Sequence, residues 1–323
     1  MNPSKRKLML MAAAALAVPA FAATPAYPAK AVTILVASAP GGPLDDAARR
    51  LGQHLTSIWN VPVVVDHRPG AGGTIAAAAL ARATADGHTL LIATRAIVVN
   101  PALYEKLPFD TATDIQPVAK VNEQPTLLAV ARHFPAKTYA EVIALLRKDP
   151  GKYSFGSAGN GGIPHIAGEM FMRASSTKMI HVPYKGLAPV LTDMQAGRID
   201  MTFASPQTVS AFLADGRLKA IAVASPTRSP LSPDLPTFAE LGLKDMNISS
   251  WYGLFAPAKT APEIVQKINA GVVDFQKSAA AQKWLREQGA EATPQSVQQF
   301  TEDFNRDLVF MSDLLKRLGV KAE

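Results

Sequence analysis

The feature that most constrains this chain is the regular alternation of short β-branched apolar runs with segments of helical periodicity. Residues 32–36, 61–65 and 89–93 predict strands, and apolar residues at helical spacing separate them. Such alternation is typical of α/β folds, in which helices flank a mostly parallel sheet. Since 48% of the 323 residues are hydrophobic, the chain can bury one large core or two smaller ones.

The alternation continues into the second half of the chain. It predicts strands at 153–156, 179–182, 199–203, 218–224 and 251–255, helices at 139–148 and 164–174, and a C-terminal helix whose apolar stripe begins at Val297. Two apolar runs within 117–130 suggest a passage into a second domain. We therefore predict two α/β domains, one formed by residues 23–124 and 249–323 and the other by 125–248, each a mixed, mostly parallel sheet flanked by helices.

The N-terminus predicts export from the cytoplasm. Three basic residues at 5–7 precede an apolar run at 8–18, which is too short to span a bilayer, and Ala20-Phe21-Ala22 supplies a cleavage site. A buried N-terminal helix is the alternative, but the run has no polar face. We predict a signal peptide at 1–22 and a mature chain in the periplasm. The chain contains no cysteine, so we expect neither disulfides nor a lipid anchor.

Charge favours small anionic ligands over nucleic acid. Three of the 33 basic residues lie in the leader, so the mature chain has 30 basic against 26 acidic residues. The basic residues form no stripe and are not interleaved with aromatic residues, as a nucleic-acid surface requires. A mild positive excess attracts anions, and we expect a monomer that binds a small molecule.

Three glycine-rich junctions follow predicted strands. They are Pro40-Gly41-Gly42, the cluster at 70–73 and the cluster at 156–162. Glycine lets the main chain approach a ligand, and the N-terminus of the following helix presents N–H groups with a positive partial charge. Each junction alone is also explained as a tight turn. Three of them at strand ends together favour a site for carboxylate or phosphate.

Enzyme motifs fail at these glycines. A nucleophile elbow at Ser157 lacks its first glycine, because Phe155 stands there, and the dinucleotide fingerprint from Gly70 fails at Ile75. His165 and Glu169 are spaced to share a metal, but no third ligand accompanies them. A hydrogen-bonded or helix-capping role is the alternative for His165. We predict no catalysis, no cofactor and no metal.

Six sequence blocks, in order, resemble the receptors of tripartite tricarboxylate transporters, also called Bug receptors. The blocks are PGGPLDDAAR at 40–49, VVVDHRPGAGG at 63–73, ADGHTLL at 85–91, NPALYEKLPFD at 100–110, GSAGNGGIPHIAGE at 156–169 and VPYKGLAPVLTDMQAGRID at 182–200. The resemblance implies a two-domain periplasmic binding protein that closes on its ligand like a hinged clamp. It implies that loops hold a carboxylate through main-chain N–H groups, hydroxyls and water.

The resemblance also assigns ligand-binding residues. In the first domain they are Pro40, Gly41, Gly42, Gly72, Gly73, Thr74 and Thr94, and in the second Ser157, Ala158, Gly159, Asn160, Tyr184, Lys185, Gly186 and Pro189. Asp45 and Asp193 match family acids, which we interpret as loop organisers and helix-start caps, since a bare carboxylate would repel an anion.

Three departures from the family pattern affect the site. Pro43 and Leu44 replace residues of the usual first loop, and Arg95 stands where a small polar residue is usual. Arg95 is either a bidentate carboxylate ligand or an exposed surface charge. Ser205 follows Ala204, where relatives that bind amino acids tend to carry an acid or amide. An ammonium group then has no partner, which favours an acid without an amino group.

These observations predict a solute-binding protein that captures a dicarboxylate or an aromatic acid and delivers it to membrane transporter subunits. Two alternatives stay open at this stage. A secreted α/β hydrolase requires a nucleophile, base and acid in reach of one another. A periplasmic sensor or adaptor uses the same clamp to signal to a different membrane partner.

Overall fold

The predicted strands pair into two five-stranded sheets. The computed structural model describes residues 27–225, 227–228, 232–244 and 246–318, so the predicted leader at 1–22 lies outside the described residues. The strands, in chain order, are β1 (Val32–Val36), β2 (Val63–His67), β3 (Thr89–Thr94), β4 (Ile115–Pro125), β5 (Leu127–Ala131), β6 (Ser154–Ser157), β7 (Ile180–Pro183), β8 (Met201–Ala204), β9 (Leu218–Val223) and β10 (Ser249–Pro257).

Helices flank both sheets, as the alternation predicts. They are α1 (Pro43–Trp59), α2 (Thr74–Ala81), α3 (Ala96–Leu103), α4 (Tyr139–Lys148), α5 (Ile163–Ser175), α6 (Leu187–Gln195), α7 (Pro206–Ala214), α8 (Pro262–Lys277), α9 (Ala279–Glu287) and α10 (Val297–Leu318). The helix α4 has the predicted bounds, because Thr138 and Glu141 form a capping box at its start.

The two sheets share one topology. The first has the order β2-β1-β3-β10-β4 and the second the order β7-β6-β8-β5-β9. In each sheet a single strand, β10 or β5, runs against the other four. The predicted mixed, mostly parallel sheets are therefore confirmed. We call each sheet with its helices a lobe.

Strand direction places the ligand loops between the lobes. The chain passes from β4 to β5 through Thr126 alone, so the carboxyl end of β4 faces the second sheet. Because β1, β2 and β3 run parallel to β4, their carboxyl ends lie at the same edge. By the same argument, β6, β7 and β8 end at the edge of the second sheet that faces the first. The loops after all six strands thus line one cleft.

One hydrophobic core continues from lobe to lobe. It joins Leu91 and Phe304 of the first lobe to Phe155, Phe171 and Phe238 of the second, all of them buried. A separate cluster lies on the other face of the first sheet, where α1 and α8 pack. The lobes therefore share apolar packing on the α10 side and meet through loops at the cleft.

Candidate ligand cleft

Asp45 organises the loop that contains Pro40, Gly41 and Gly42. Its carboxylate accepts the Gly41 N–H at 2.8 Å, and it contacts His67 Nε2 at 2.8 Å and Arg49 Nε at 2.9 Å. Burial raises the pKa of Asp45, but these three partners outweigh burial and lower the pKa to about 2. The negative charge is thus compensated within the first lobe. The predicted loop-organising role of Asp45 is confirmed. The predicted helix-start caps are wrong, because the N-caps of α1 and α6 are Gly42 and Gly186 and neither helix has a side-chain hydrogen bond there.

The second glycine junction is a left-handed turn that leads into α2. Four consecutive residues, 70–73, have positive φ, which glycine tolerates best, and the Thr74 hydroxyl closes the turn by donating to Ala71 O at 2.9 Å. Gly73 approaches Ala37 of the first loop, since a Cβ on Gly73 would lie 3.1 Å from the Ala37 Cβ. The two loops of the first lobe therefore pack side by side.

Arg95 differs from its predicted exposed state. It is only 5% exposed, and its guanidinium donates to Ser249 O at 2.7 Å and to Asp307 Oδ1 at 2.8 Å. Asp307 also accepts the indole N–H of Trp251 at 3.0 Å. Both predicted roles, a free carboxylate ligand and a surface charge, assumed an exposed side chain. That assumption is wrong, because Arg95 connects the end of β3 to α10. Thr94, its neighbour, remains partly exposed.

The third junction, which contains Ser157, Ala158, Gly159 and Asn160, rests on a pair of stacked histidines. His165 and His181 lie parallel, with ring centroids 3.9 Å apart and an interplanar angle of 4°. His165 Nδ1 accepts the Gly161 N–H at 3.0 Å, and His181 Nε2 contacts Ser157 Oγ at 2.7 Å. Both ends of the loop are thus fixed by imidazoles. The hydrogen-bonded role that the sequence left open for His165 is the one observed.

His181 is kept neutral by its surroundings. Burial, and next the neighbouring His165, lower its pKa to about 4, against a smaller opposing effect of Glu169. The other five histidines each lie within 4.0 Å of a carboxylate, whereas no ion pair joins His181 to any described carboxylate. The hydrogen bond between His181 and Ser157 is therefore one between two neutral side chains.

The contact of Ser157 with His181 resembles the nucleophile and base of a hydrolase, but the surroundings of this pair differ from those of a hydrolase active site. Ser157 is fully buried, and its hydroxyl also lies 3.1 Å from Gly159 O. Within the described part of the chain, no acid is ion-paired with His181 to orient it. A nucleophile must reach the substrate, so this pair is better suited to holding the loop.

The remaining second-lobe loops carry the other predicted residues. The Tyr184 N–H donates to Ser157 O at 3.0 Å, and its hydroxyl donates to Asp193 Oδ2 at 2.7 Å, so Asp193 organises this loop as predicted. Burial and that hydrogen bond raise the pKa of Tyr184. Gly186 has φ of +108° and precedes α6, while Lys185 and Pro189 are exposed. Ser205 precedes α7, and its hydroxyl contacts that of Thr208 at 2.9 Å.

Helix α3, which the sequence analysis did not predict, bridges the loops of the two lobes. Its Asn100 amide donates to Gly72 O at 3.0 Å. At its end, Leu103 lies so close to Gly161 that a Cβ there would come within 2.7 Å of Leu103 Cδ1. The second and third glycine junctions therefore face each other across α3. The sequence block at 100–110, which resembles the receptor family, begins within this helix and could have indicated its importance.

Helix N-termini give the cleft its electrostatic character. Six described helices begin at the facing edges, α1, α2, α3, α5, α6 and α7, and in none of them does the N-cap side chain accept a main-chain N–H of the first turn. In α3 the Thr94 hydroxyl accepts the Ala96 N–H at 3.3 Å. At the far edges, α4 is capped by Thr138, whereas α8 has no side-chain hydrogen bond at its N-cap Ala261, so the cleft is distinguished by the number of helices that begin there. Uncapped first turns leave N–H donors and a positive partial charge at the cleft. Such a surface suits an anionic ligand.

Within the described residues, two kinds of feature are absent. No group of three or more His, Cys, Asp or Glu side chains among them is placed to hold a metal ion. No helix in the same ranges combines the length and apolar character needed to cross a membrane.

Solved structures place this arrangement in a known class. R. palustris Rpa4515 with adipate is 32% identical and superposes with a TM-score of 0.78, over 92% of this chain and 100% of that one. MatC from Rhodopseudomonas palustris with bound malate is 29% identical, with a TM-score of 0.74 over 90% of this chain and 100% of that one. The fold is thus that of a two-domain periplasmic binding protein, as predicted.

Sequence comparison then fixes the family. Residues 47–319 match the family described as tripartite tricarboxylate transporter family receptor, and the chain belongs to that family. Protein BugT of Bordetella pertussis is 31% identical over 300 residues, which cover 91% of each chain. Members of the family are periplasmic receptors that bind small ligands for transporters. The resemblance stated from the six blocks is confirmed.

Proposed function

We propose that this protein is a periplasmic receptor that captures an organic carboxylate, a dicarboxylate or an aromatic acid without an amino group. It passes the ligand to the membrane subunits of a tripartite tricarboxylate-type transporter and catalyses no reaction. The signal peptide at 1–22 would direct a monomeric mature chain to the periplasm.

The facing, uncapped helix N-termini are the observation that carries this proposal. Each lobe contributes three, so a ligand with an acidic group at each end can be bound by both lobes at once. Main-chain N–H groups of the predicted binding loops supply donors without a buried cation. Closure of the lobes would then be coupled to ligand binding through the ligand itself.

The described part of the cleft offers no free carboxylate to bind the ammonium group of an amino acid. Asp45 and Asp193 are engaged by their own loops, with Gly41 and with Tyr184. Ala204 and Ser205 follow β8, so no carboxylate stands there to receive an ammonium group. Burying an unpaired ammonium is costly. Rpa4515 with adipate and MatC with malate provide precedents for acids without an amino group.

Calorimetry with adipate and L-2-aminoadipate tests the proposal, because the two ligands differ in the amino group alone. We expect adipate to bind and L-2-aminoadipate to bind at least tenfold more weakly. The same comparison is repeated with aromatic acids and their amino derivatives. An aromatic ligand would satisfy the proposal even if adipate did not bind. Preference for the amino acid would refute the argument from Ala204 and Ser205.

A matched pair of variants tests the location. Ala158→Asp places a carboxylate in the exposed loop between β6 and α5, among the predicted binding residues, where it should repel the ligand and lower affinity at least tenfold. Ala31→Asp makes the same change at an exposed, non-helical alanine before β1, at the far edge, and should leave affinity unchanged. Equal effects would contradict the assigned cleft.

Co-purification distinguishes transport from signalling. Ligand-loaded protein should retain a permease from solubilised membranes. Retention of a sensor protein instead would favour the adaptor alternative.

A further inference from the structure

A second cavity lies between the lobes on the α10 side. Its volume is about 900 Å³, within the range of small-molecule sites. Its walls come from α5 of the second lobe, from Lys244, Asn247, Ser249 and Trp251 where the chain returns to the first lobe, and from α10. Of the predicted cleft residues, Arg95 is the one that lines it. The cavity is therefore separate from the glycine loops but touches the residue next to Thr94.

The wall of this cavity is rich in positive charge. Three acids, Glu123, Asp303 and Asp307, stand against six basic residues, which are Arg95, Lys120, Arg173, Lys244, Arg306 and Arg317. The acids pair with three of these bases, through Arg95–Asp307 at 2.8 Å, Lys120–Glu123 at 3.0 Å and the contact of Arg306 with Asp303. The lining retains an excess of three positive charges.

The excess comes from three different elements. Arg173 lies on α5, Lys244 in the returning segment and Arg317 on α10, and none of them forms an ion pair with another described residue. Arg317 donates to the main-chain oxygen of Asp313, which leaves its charge uncompensated. Cations that converge from separate elements on a concave space raise the local concentration of anions.

Two buried bases, each already ion-paired, form the base of the cavity. Arg95 and Lys120 are 5% and 8% exposed, and Arg95 Nε has no hydrogen-bond acceptor among the described residues. Trp251, 3% exposed, provides an apolar wall beside them. A low-dielectric wall strengthens the attraction of the three uncompensated cations for an anion.

We propose that this cavity is a second binding site, for a small molecule with two or more anionic groups such as a polycarboxylate or a polyphosphate. Arg173 and Lys244 contact the ligand from the second lobe and the returning segment, and Arg317 from the first lobe. Arg95 connects the site to the cleft, because its main chain continues β3 beyond Thr94.

Titration of the mature protein with inorganic pyrophosphate tests this site by calorimetry. One equivalent should bind, both to the free protein and to protein saturated with adipate. The double variant Arg173→Gln/Lys244→Gln should lower pyrophosphate affinity at least tenfold while leaving adipate affinity within twofold. Both side chains are exposed, so we expect the variant to fold.

Arg82→Gln/Lys148→Gln removes the same charges at exposed positions outside the cavity and should leave pyrophosphate affinity unchanged. If both double variants lost the same pyrophosphate affinity, the loss would come from the change in net charge, and the proposal would be overturned. Displacement of pyrophosphate by adipate would place it in the cleft and also overturn it. If the protein did not bind adipate, adipate would be excluded as the ligand of the cleft. The second site would still be tested by comparing the pyrophosphate affinities of the two double variants without adipate.

Discussion

Acidification should destabilise the second lobe through His181. The folded protein holds the pKa of His181 at about 4, below its ordinary value of 6.5, whereas the unfolded chain restores the ordinary value. As the pH falls below 6.5, the unfolded state therefore takes up the proton first. The stabilising contribution of neutral His181 is complete above pH 6.5 and is lost between 6.5 and about 4.

The size of the effect follows from the pKa and the exposure. The difference between 6.5 and about 4 corresponds to at most about 3.4 kcal/mol. Because His181 is partly exposed, solvent screening reduces this, and we expect a loss of about 1–2 kcal/mol in the free energy of unfolding. The proton would place a positive charge against the His165 ring, whose centroid lies 3.9 Å away, and would disfavour the stacked pair that supports the loop, so ligand affinity should fall over the same range.

Urea unfolding at pH 7 and pH 4.5 measures this loss. His181→Gln keeps a group that can hydrogen-bond Ser157 but does not titrate, so its loss should be smaller than that of the wild type by about 1–2 kcal/mol. His133→Gln, at an exposed histidine of the same lobe, controls for general acid effects. Identical pH dependence in the wild type and His181→Gln would refute the reasoning.

Three further substitutions test the packing of the lobes. Arg95→Ala should lower the free energy of unfolding by about 2–4 kcal/mol, since it leaves the partly buried Asp307 without its cationic partner; a change below about 0.5 kcal/mol in urea unfolding would contradict this. Gly168→Ala should destabilise by about 1–3 kcal/mol because its Cβ would lie 2.2 Å from a Phe155 ring carbon. Gly52→Ala, in a helix with room for a methyl group, should be neutral or stabilising by up to about 1 kcal/mol, and equal effects in thermal denaturation would refute the contrast.

Local signals account for what the sequence analysis predicted. Strands appear as β-branched runs, and the observed β3 extends the prediction by one residue, to Thr94. Helix α3 was missed because Ile97, Val98 and Val99 give it no polar face and Pro101 lies inside it. Helical periodicity requires a contrast between two faces, and a helix covered on most sides does not provide one.

Long-range contacts explain what the sequence could not supply about the cleft. Arg95 pairs with Asp307, 212 positions later, so its burial depends on the docking of α10. His165 meets His181 because α5 packs over β6 and β7, and spacing along the chain gives no sign of this. The glycine junctions, by contrast, are local, since positive φ is required where they stand.

The chain leaves the first lobe after β4 and returns to it with β10, and this path has a consequence for the order of folding. The first sheet is complete only when β10 inserts between β3 and β4, which requires the chain as far as Pro257. The second sheet uses strands from Leu127 to Val223 alone. During synthesis from the N-terminus, the second sheet can therefore assemble first, although its sequence follows most of the first sheet. Chains truncated after residue 248 should show amide protection in the second sheet while β4, deprived of β10, exchanges freely.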